Sequence, residues 1–354
     1  MSEPGPSPTD RAVKRERVQA ILTARGVDGL VLTSHGAIAW YLDGIRSHVG
    51  LAGDPVLAVL VANGVDTVVV YANERARLEV EELPSDVLVH AVAWHEPLST
   101  AWATVPGLLR EVDVAAELRA ARASLLPAEL ARFRQLSADA ACVLTDVLGA
   151  VAPQQSERAV LARVAGQLVE RGIDPLVLLA AGRARRGYRH PLPTDAPLGN
   201  RAMVVVCGRR HGLITNVTRW VRFGAESHGE AGATAGILEV EARYFAATRP
   251  GALVSDALAA GSAAYATNGF DADEWRNHHQ GGPAGYNGRD PRATLGLPDR
   301  VAAGGAFTWN PSALGAKVED TVLVTDVGLE VLTVDPRWPT VRVHGRDRPA
   351  EMVL

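Results

Sequence analysis

Apolar residues recur along the chain in two rhythms, and the change from one to the other outlines two domains. RAVKRERVQAILTAR, from Arg11 to Arg25, carries apolar residues at helical spacing and stops at Gly26. DGLVLTS then predicts a buried strand, and AIAWYLDGI a short helix running into a glycine turn. PVLAVLVANG and VDTVVVYAN are β-branched runs split by Asn63-Gly64, the pattern of a β-hairpin. VLVHAVAWH adds a further strand. This alternation of strands and helices predicts a three-layer α/β domain.

After Ser124 the rhythm lengthens. LLPAELARFRQLSADAACVLTDVLGAV and SERAVLARVAGQLVERG are long amphipathic segments, the second with Ser156 as its cap and Gly172 as its terminator. PLVLLAAG, AMVVVCG and LITNVTRWVRFG read as strands, followed by helices over Glu239–Ala247 and Ser255–Asn268. The last third is rich in glycine and turns, with strands AFTWN, DTVLVTD and LEVLTV. These features predict an α+β domain of curved antiparallel strands with helices on one side. The expected organisation is a disordered tail over residues 1–12, an α/β domain over 13–123 and an α+β domain over 124–354. No internal repeat is present.

Composition narrows the function classes. Of 354 residues, 47% are apolar and 21% charged, which is globular rather than disordered composition. A formal net charge of −4 argues against the basic field of a nucleic-acid binder. No apolar run approaches the roughly 20 residues that span a bilayer, so no membrane partner is expected. The opening MSEPGPSPTD is polar and lacks an apolar leader core. Cys142 and Cys207 give neither a disulfide framework nor a zinc spacing. A reducing cytoplasm is the expected location. Lysine occurs only at Lys14 and Lys317, which draws attention to the second.

Four stretches concentrate polar groups between apolar strands: Gly187–Asp195, Cys207–Gly224, Asn277–Asp290 and Trp309–Asp320. Taken singly, each is as consistent with a turn or a solvated strand entrance as with chemistry. Their order and spacing together resemble the creatinase/aminopeptidase P family, whose catalytic domain has the "pita-bread" fold. DGLVLTS and AIAWYLDGI resemble the start of the family's N-terminal domain. PAELARFRQ and SERAVLARVAGQLVERGIDP resemble the helical entry to its second domain. HPLPTD resembles the segment of the family's active-site histidine, here His190. NVTRWVRFG resembles the Asp-x-Thr-Arg strand. His279-Gln280-Gly281-Gly282 resembles the His-x-x-Gly turn, with Tyr286 seven residues on, and WNPSALGAKVEDTVLVT the two closing strands. The resemblance implies a ribonuclease H-like α/β N-terminal domain, a pita-bread α+β catalytic domain and a homodimer.

Metallopeptidase members of that family hold two divalent ions with two Asp, one His and two Glu. The matching positions here are Val205, Asn216, His279, Asn310 and Glu319. Hard divalent ions need anionic oxygens, and two ions need several. Three of the five positions carry no carboxylate or imidazole, so no metal and no other cofactor is expected.

The positions nevertheless stay polar. The family resemblance then implies creatinase-like chemistry, with His190 as general acid/base and Glu319 as its retained glutamate partner. His190 titrates near neutrality when unperturbed. Glu319 would orient a substrate amine or hold a protonated His279; Asn216 and Asn310 would donate to a developing oxyanion or carboxylate. Tyr286, Arg219, Lys317 and His278 are further candidate substrate contacts. Arg46, with His48, lies in a segment that reaches the partner's active site in creatinase-like dimers. Arg183, Arg185, Arg186 and Arg189 either select an anion or form a solvated loop. The expected function is metal-independent cleavage of a C–N bond in a small polar, carboxylated amide or guanidine-type compound. The alternatives are a lyase, cyclase or isomerase on the same scaffold, a non-catalytic binding protein, and an Xaa-Pro aminopeptidase-like metallohydrolase with an atypical metal site.

Overall fold

The computed structural model describes residues 6–354. The chain divides into two units, Met1–Arg132 with His211–Leu213, and Phe133–Arg210 with Ile214–Leu354. Among the described residues no helix is long and apolar enough to cross a membrane.

The first unit opens with helix α1, Pro8–Arg25. Ser7 caps it by accepting from the Asp10 N–H, and Gly26 ends it in the left-handed conformation. The expectation of a disordered tail is therefore corrected for residues 8–12, because Ser7-Pro8 is a start signal and Asp10 and Arg11 are buried. The tail's first five residues lie outside the described ones. Strand β1 (Gly29–Leu32) and helix α2 (His35–Tyr41) follow, then the hairpin strands β2 (Leu57–Ala62) and β3 (Val65–Tyr71). Asn63 and Gly64 both sit at positive φ, 51° and 75°, as a two-residue hairpin turn requires. Helix α3 (Arg75–Glu81), β4 (Leu88–Val92), β5 (Leu109–Arg110) and α4 (Ala115–Arg122) complete a sheet of order β4-β3-β2-β1-β5. The sheet is mixed: β1, β2 and β3 are antiparallel neighbours, and β4 and β5 join in parallel at the edges. Beneath it Asp43, fully buried, is held by Lys14 and Arg132, and Lys14 reaches Glu129 at 2.8 Å.

The second unit is entered along α5 (Pro127–Leu148) and α6 (Glu157–Glu170), the latter capped by Ser156 as its sequence predicts. Strands β6 (Asp174–Ala181), β7 (Arg201–Arg210) and β8 (Leu213–Arg222) form one sheet, with a short C-terminal strand, Met352–Val353, parallel to β8. Helix α7 (His228–Ala247) begins eleven residues before the expected Glu239, because Ser227 and Glu230 form a capping box. Helix α8 (Val254–Thr267) packs beside it. Strands β9 (Gly281–Ala284), β10 (Ala306–Trp309), β11 (Ser312–Ala313), β12 (Ala316–Lys317), β13 (Asp320–Thr325) and β14 (Gly328–Val331) follow. Four of these make a second antiparallel sheet of order β14-β13-β10-β9. Its core is aromatic: Tyr244 stacks on Trp309 with ring centroids 4.5 Å apart, and Phe307 and Tyr265 lie in the same buried cluster. A single bridge, Thr218 to Glu319, stitches β8 to the approach to β13. That stitch brings the polar positions of both sheets to one place.

Candidate functional site

The site is a cavity of about 420 Å³ within the second unit, a size suited to a small ligand. Leu176, Val177 and Leu179 of β6 with Val205 of β7 and Ile214 of β8 make an apolar wall. The opposite lining is polar and brings together His190, Asn216, His279, Asn310, Lys317 and Glu319, all singled out in the sequence.

Local backbone chemistry explains their placement. Asn216 lies mid-strand in β8; its N–H donates to the Thr321 hydroxyl at 2.8 Å, and that hydroxyl donates back to its carbonyl at 3.0 Å. Asn310 leaves β10 with its N–H on the Gln280 carbonyl. Gly281, at φ 113°, lets β9 run against β10, since a Cβ there would sit 2.1 Å from the Thr308 carbonyl oxygen. Gln280 is buried and positions the histidines before it. Its amide donates to the His278 carbonyl at 2.7 Å and the Trp275 carbonyl at 2.8 Å, while its oxygen accepts from Tyr265 and Tyr244. Sequence reading passed over Gln280; a polar side chain between two histidines and two glycines was the available signal.

Glu319 is the electrostatic centre. It is buried, and its carboxylate receives Lys317 Nζ at 2.8 Å, Arg289 Nη2 at 2.8 Å and the Thr218 hydroxyl at 2.9 Å. Burial alone would raise its pKa, but the Lys317 and Arg289 charges prevail and hold it down to about 2. Lys317 is fixed in turn by the β11–β12 hairpin, and its carbonyl accepts from the Trp220 indole.

The three histidines form a cluster. His278 Nε2 lies 3.1 Å from His190 Nε2, and the His279 ring stacks on His278 with centroids 4.4 Å apart. Burial, and then the neighbouring cations, push His278 down to about 2 and His279 down to about 4; His190, more exposed, is lowered by burial and by Lys317. All three are neutral at pH 7. Their ligand nitrogens lie within 4.8 Å of one another, the one group among the described residues with the spacing to hold a metal ion.

Other candidates fall elsewhere. Arg219 does not line the cavity: its guanidinium pairs with Asp320 at 2.9 Å, donates to the Thr218 and Thr333 carbonyls and stacks over Trp338, an arrangement that holds strands together. Tyr286 is buried outside the lining. His278 is also outside it and touches the cavity's lining through His190 and His279. Arg46 lies in the first unit, paired with Glu82 and Glu81. Arg185, Arg186 and Arg189 pair with Glu157, Glu230 and Glu274, and none of the four loop arginines lines the cavity. The arginines that do are Arg289 and Arg292, which are not among the sequence candidates. Cys207 also lines it, but burial and Glu319 push its thiol up to about 12, so it is no nucleophile at neutral pH.

The residues do not fit the two-metal centre that the family resemblance implies. Val205 offers no donor, Asn216 and Asn310 offer neutral amides, and the remaining carboxylate is already taken by two side-chain cations. A divalent ion at Glu319 would have to displace both.

No family model matches the chain, and no curated protein matches it. Solved structures do. A prolidase from Pyrococcus horikoshii OT3 is similar at TM-score 0.77 and 16% identity, covering 92% of this chain and 99% of that one. A dipeptidase PepE from Mycobacterium ulcerans is similar at TM-score 0.77 and 21% identity, covering 99% of each. The N-terminal domain of the FACT complex subunit SPT16 from chickpea is similar at TM-score 0.67 and 13% identity, covering 92% of this chain. The chain therefore has the pita-bread fold with its α/β N-terminal domain. Because that fold serves proteins of such different description, function has to be argued from the pocket.

Proposed function

We propose that the chain is a hydrolase that cleaves the C–N bond of a small polar amide by side-chain acid–base chemistry. The observation that carries this reading is Glu319 held between Lys317 and Arg289, where a two-metal site would present free carboxylates. The prolidase and dipeptidase names of the structural neighbours support an amide substrate.

The residues divide the work as follows. His190 is neutral and reaches the cavity, so it accepts a proton as water adds to the substrate carbonyl carbon. The His278 ring, 3.1 Å away, sets its tautomer and orientation. Lys317, Arg289 and the amides of Asn216 and Asn310 line the space in which the oxyanion develops and supply its donors. The proton held by His190 passes to the nitrogen as the C–N bond breaks, giving a carboxylic acid and an amine. A guanidinium substrate is disfavoured, since Thr218 stands where a carboxylate would have to receive it and donates its own hydroxyl to Glu319. The domain boundary near residue 124, the homodimer and the cytoplasmic location remain part of this proposal.

A second reading has its own observation. His190, His278 and His279 have the spacing of three imidazole ligands, which suits one zinc ion in an atypical metallopeptidase. Elemental analysis with a turnover panel separates the two. The first reading expects substoichiometric metal, and hydrolysis of N-acylated amides that survives chelation. Stoichiometric zinc, manganese or cobalt with metal-dependent cleavage of Xaa-Pro dipeptides would establish the second and end the first.

A further inference from the structure

We propose that the cavity selects an N-acylated amino acid, an anion carrying a secondary amide on an aliphatic body, over the zwitterionic free amino acid or dipeptide. This rests on the reading of the cavity as an amide site and names what that site admits.

Charge sets the first requirement. The lining holds three cations, Arg289, Arg292 and Lys317, against one carboxylate, Glu319, a net +2 with the histidines neutral. Glu319 spends its charge on Lys317, Arg289 and the Thr218 hydroxyl, so no acidic group is left to receive a substrate ammonium. Arg292 is the opposite case. It is exposed, lines the cavity and makes no hydrogen bond or ion pair among the described residues, though its charge is felt at both His190 and His279. A guanidinium free at the mouth of a positive cavity is built to take a carboxylate in its two-pronged geometry.

Unpartnered buried atoms set the second. Asn310 Oδ1 is an acceptor with nothing donating to it, and Arg289 Nε is a donor with nothing accepting from it. Asn310 is 2% exposed and the Arg289 side chain 8%. Buried polar atoms left unpaired are costly, so a ligand that satisfies both gains affinity. A secondary amide does so with one group, its N–H toward Asn310 and its carbonyl toward Arg289. An ammonium could donate to Asn310 but brings a fourth positive group into a lining with three cations and leaves Arg289 Nε unanswered. The β6–β8 wall of Leu179, Val205 and Ile214 takes the aliphatic body.

Calorimetric titration of the full chain with three probes of one shape tests this. N-acetyl-leucine carries the anion and the amide; N-acetyl-leucinamide keeps the amide without the anion; leucine keeps the anion and puts an ammonium in place of the amide. N-acetyl-leucine is expected to bind at least about 10-fold tighter than either other probe, the size of one charge-assisted hydrogen bond. Arg292→Gln, an exposed change whose folding is checked by Tm, is expected to weaken N-acetyl-leucine about 10-fold and leave N-acetyl-leucinamide within about twofold. Equal binding of the three, tighter binding of leucine, no binding of any, or an Arg292→Gln protein with unchanged affinities would overturn the proposal. Metal-dependent turnover alongside the expected ranking would sink the acid–base reading alone; a flat ranking alongside metal-free turnover would sink this inference alone.

Discussion

Replacing Glu319 by Gln removes one negative charge from a position where two cations converge, and its cost can be worked out from the geometry. Each N···O contact is 2.8 Å, which at an effective dielectric of about 20 is about 6 kcal/mol of gross attraction per pair. Desolvation of three buried charges offsets most of that. What remains when one member of a buried ionic group is deleted is about 3–5 kcal/mol, because Lys317 and Arg289 are left uncompensated. The carboxyl's own titration gives a second route. Its pKa is held at about 2 against an ordinary 4.5, which by proton linkage is a stabilisation on the order of 3 kcal/mol. The sign follows, since a depressed carboxyl contributes stability that is present above pH 4.5 and lost as pH falls toward 2. The assay is chemical denaturation read by hydrogen exchange of the β8 and β13 amides. Glu319→Gln is expected to cost about 3–5 kcal/mol there, and Glu319→Gln with Lys317→Met less than Glu319→Gln alone. If Glu319→Gln costs under about 1 kcal/mol, or the two changes simply add, Glu319 is not neutralised from within the chain and the charge argument for the whole site fails.

Three further outcomes are expected. His278, pushed from 6.5 to about 2, is neutral in the folded chain and takes a proton readily only when unfolded, so stability falls as pH drops below 6.5. From pH 6.5 to 5 that loss reaches about 2 kcal/mol, and a His278→Asn protein that kept the same slope in its denaturation profiles would refute this. Asp43→Asn in the first unit leaves Lys14 and Arg132 facing each other without their shared carboxylate and is expected to cost about 3–5 kcal/mol by denaturation; a cost near zero would show the cluster to be dispensable. In Gly261→Ala the new Cβ would meet the Tyr244 ring at 2.2 Å, and that ring is pinned between Trp309 and Gln280. A loss of about 1–3 kcal/mol in a thermal or chemical melt is expected, with a change in His190 and His279 ring signals by NMR; unaltered signals would mean that Gln280 does not transmit the strain.

The parts of this molecule legible in the sequence are those written by local chemistry. Asn63-Gly64 between two β-branched runs states its hairpin outright, and Ser156 with Gly172 brackets its helix. Ser7-Pro8 states a helix start just as plainly, yet it sits inside a Pro-rich opening whose composition reads as a tail. Within the site, His190, Asn216, His279, Asn310 and Glu319 are legible through the order and spacing of the polar segments that resemble the family's motifs. Arg289 and Arg292 were not, for a physical reason. They sit in a Gly-rich loop with no periodicity, and which of the chain's many arginines escapes an acidic partner depends on tertiary neighbours alone. The GRARRGYRH cluster leaves two readings open in the sequence for the same reason. Glu157, Glu230 and Glu274 come from three distant segments to neutralise it.

That asymmetry among arginines bears on how the pocket works. An active site built around metal ions concentrates anionic ligands and lets the ions supply the positive charge that stabilises an oxyanion. Here the order is inverted. The positions that match the family's ligands by resemblance hold an amide, an amide and an aliphatic side chain, and the positive charge comes from side chains that cannot dissociate: Lys317 and Arg289 locked on Glu319, and Arg292 left free. Burial first, and then the same field, lowers the pKa of all three histidines, which favours the neutral state that a proton acceptor needs. On the proposed reading, fixed cations beside neutral imidazoles serve both halves of an amide hydrolysis, a base for the water and a counter-charge for the oxyanion. They also repel a substrate ammonium. On that reading the chemistry of the step and the selection of the substrate draw on one charge distribution, with Lys317 facing the oxyanion and Arg292 the substrate carboxylate.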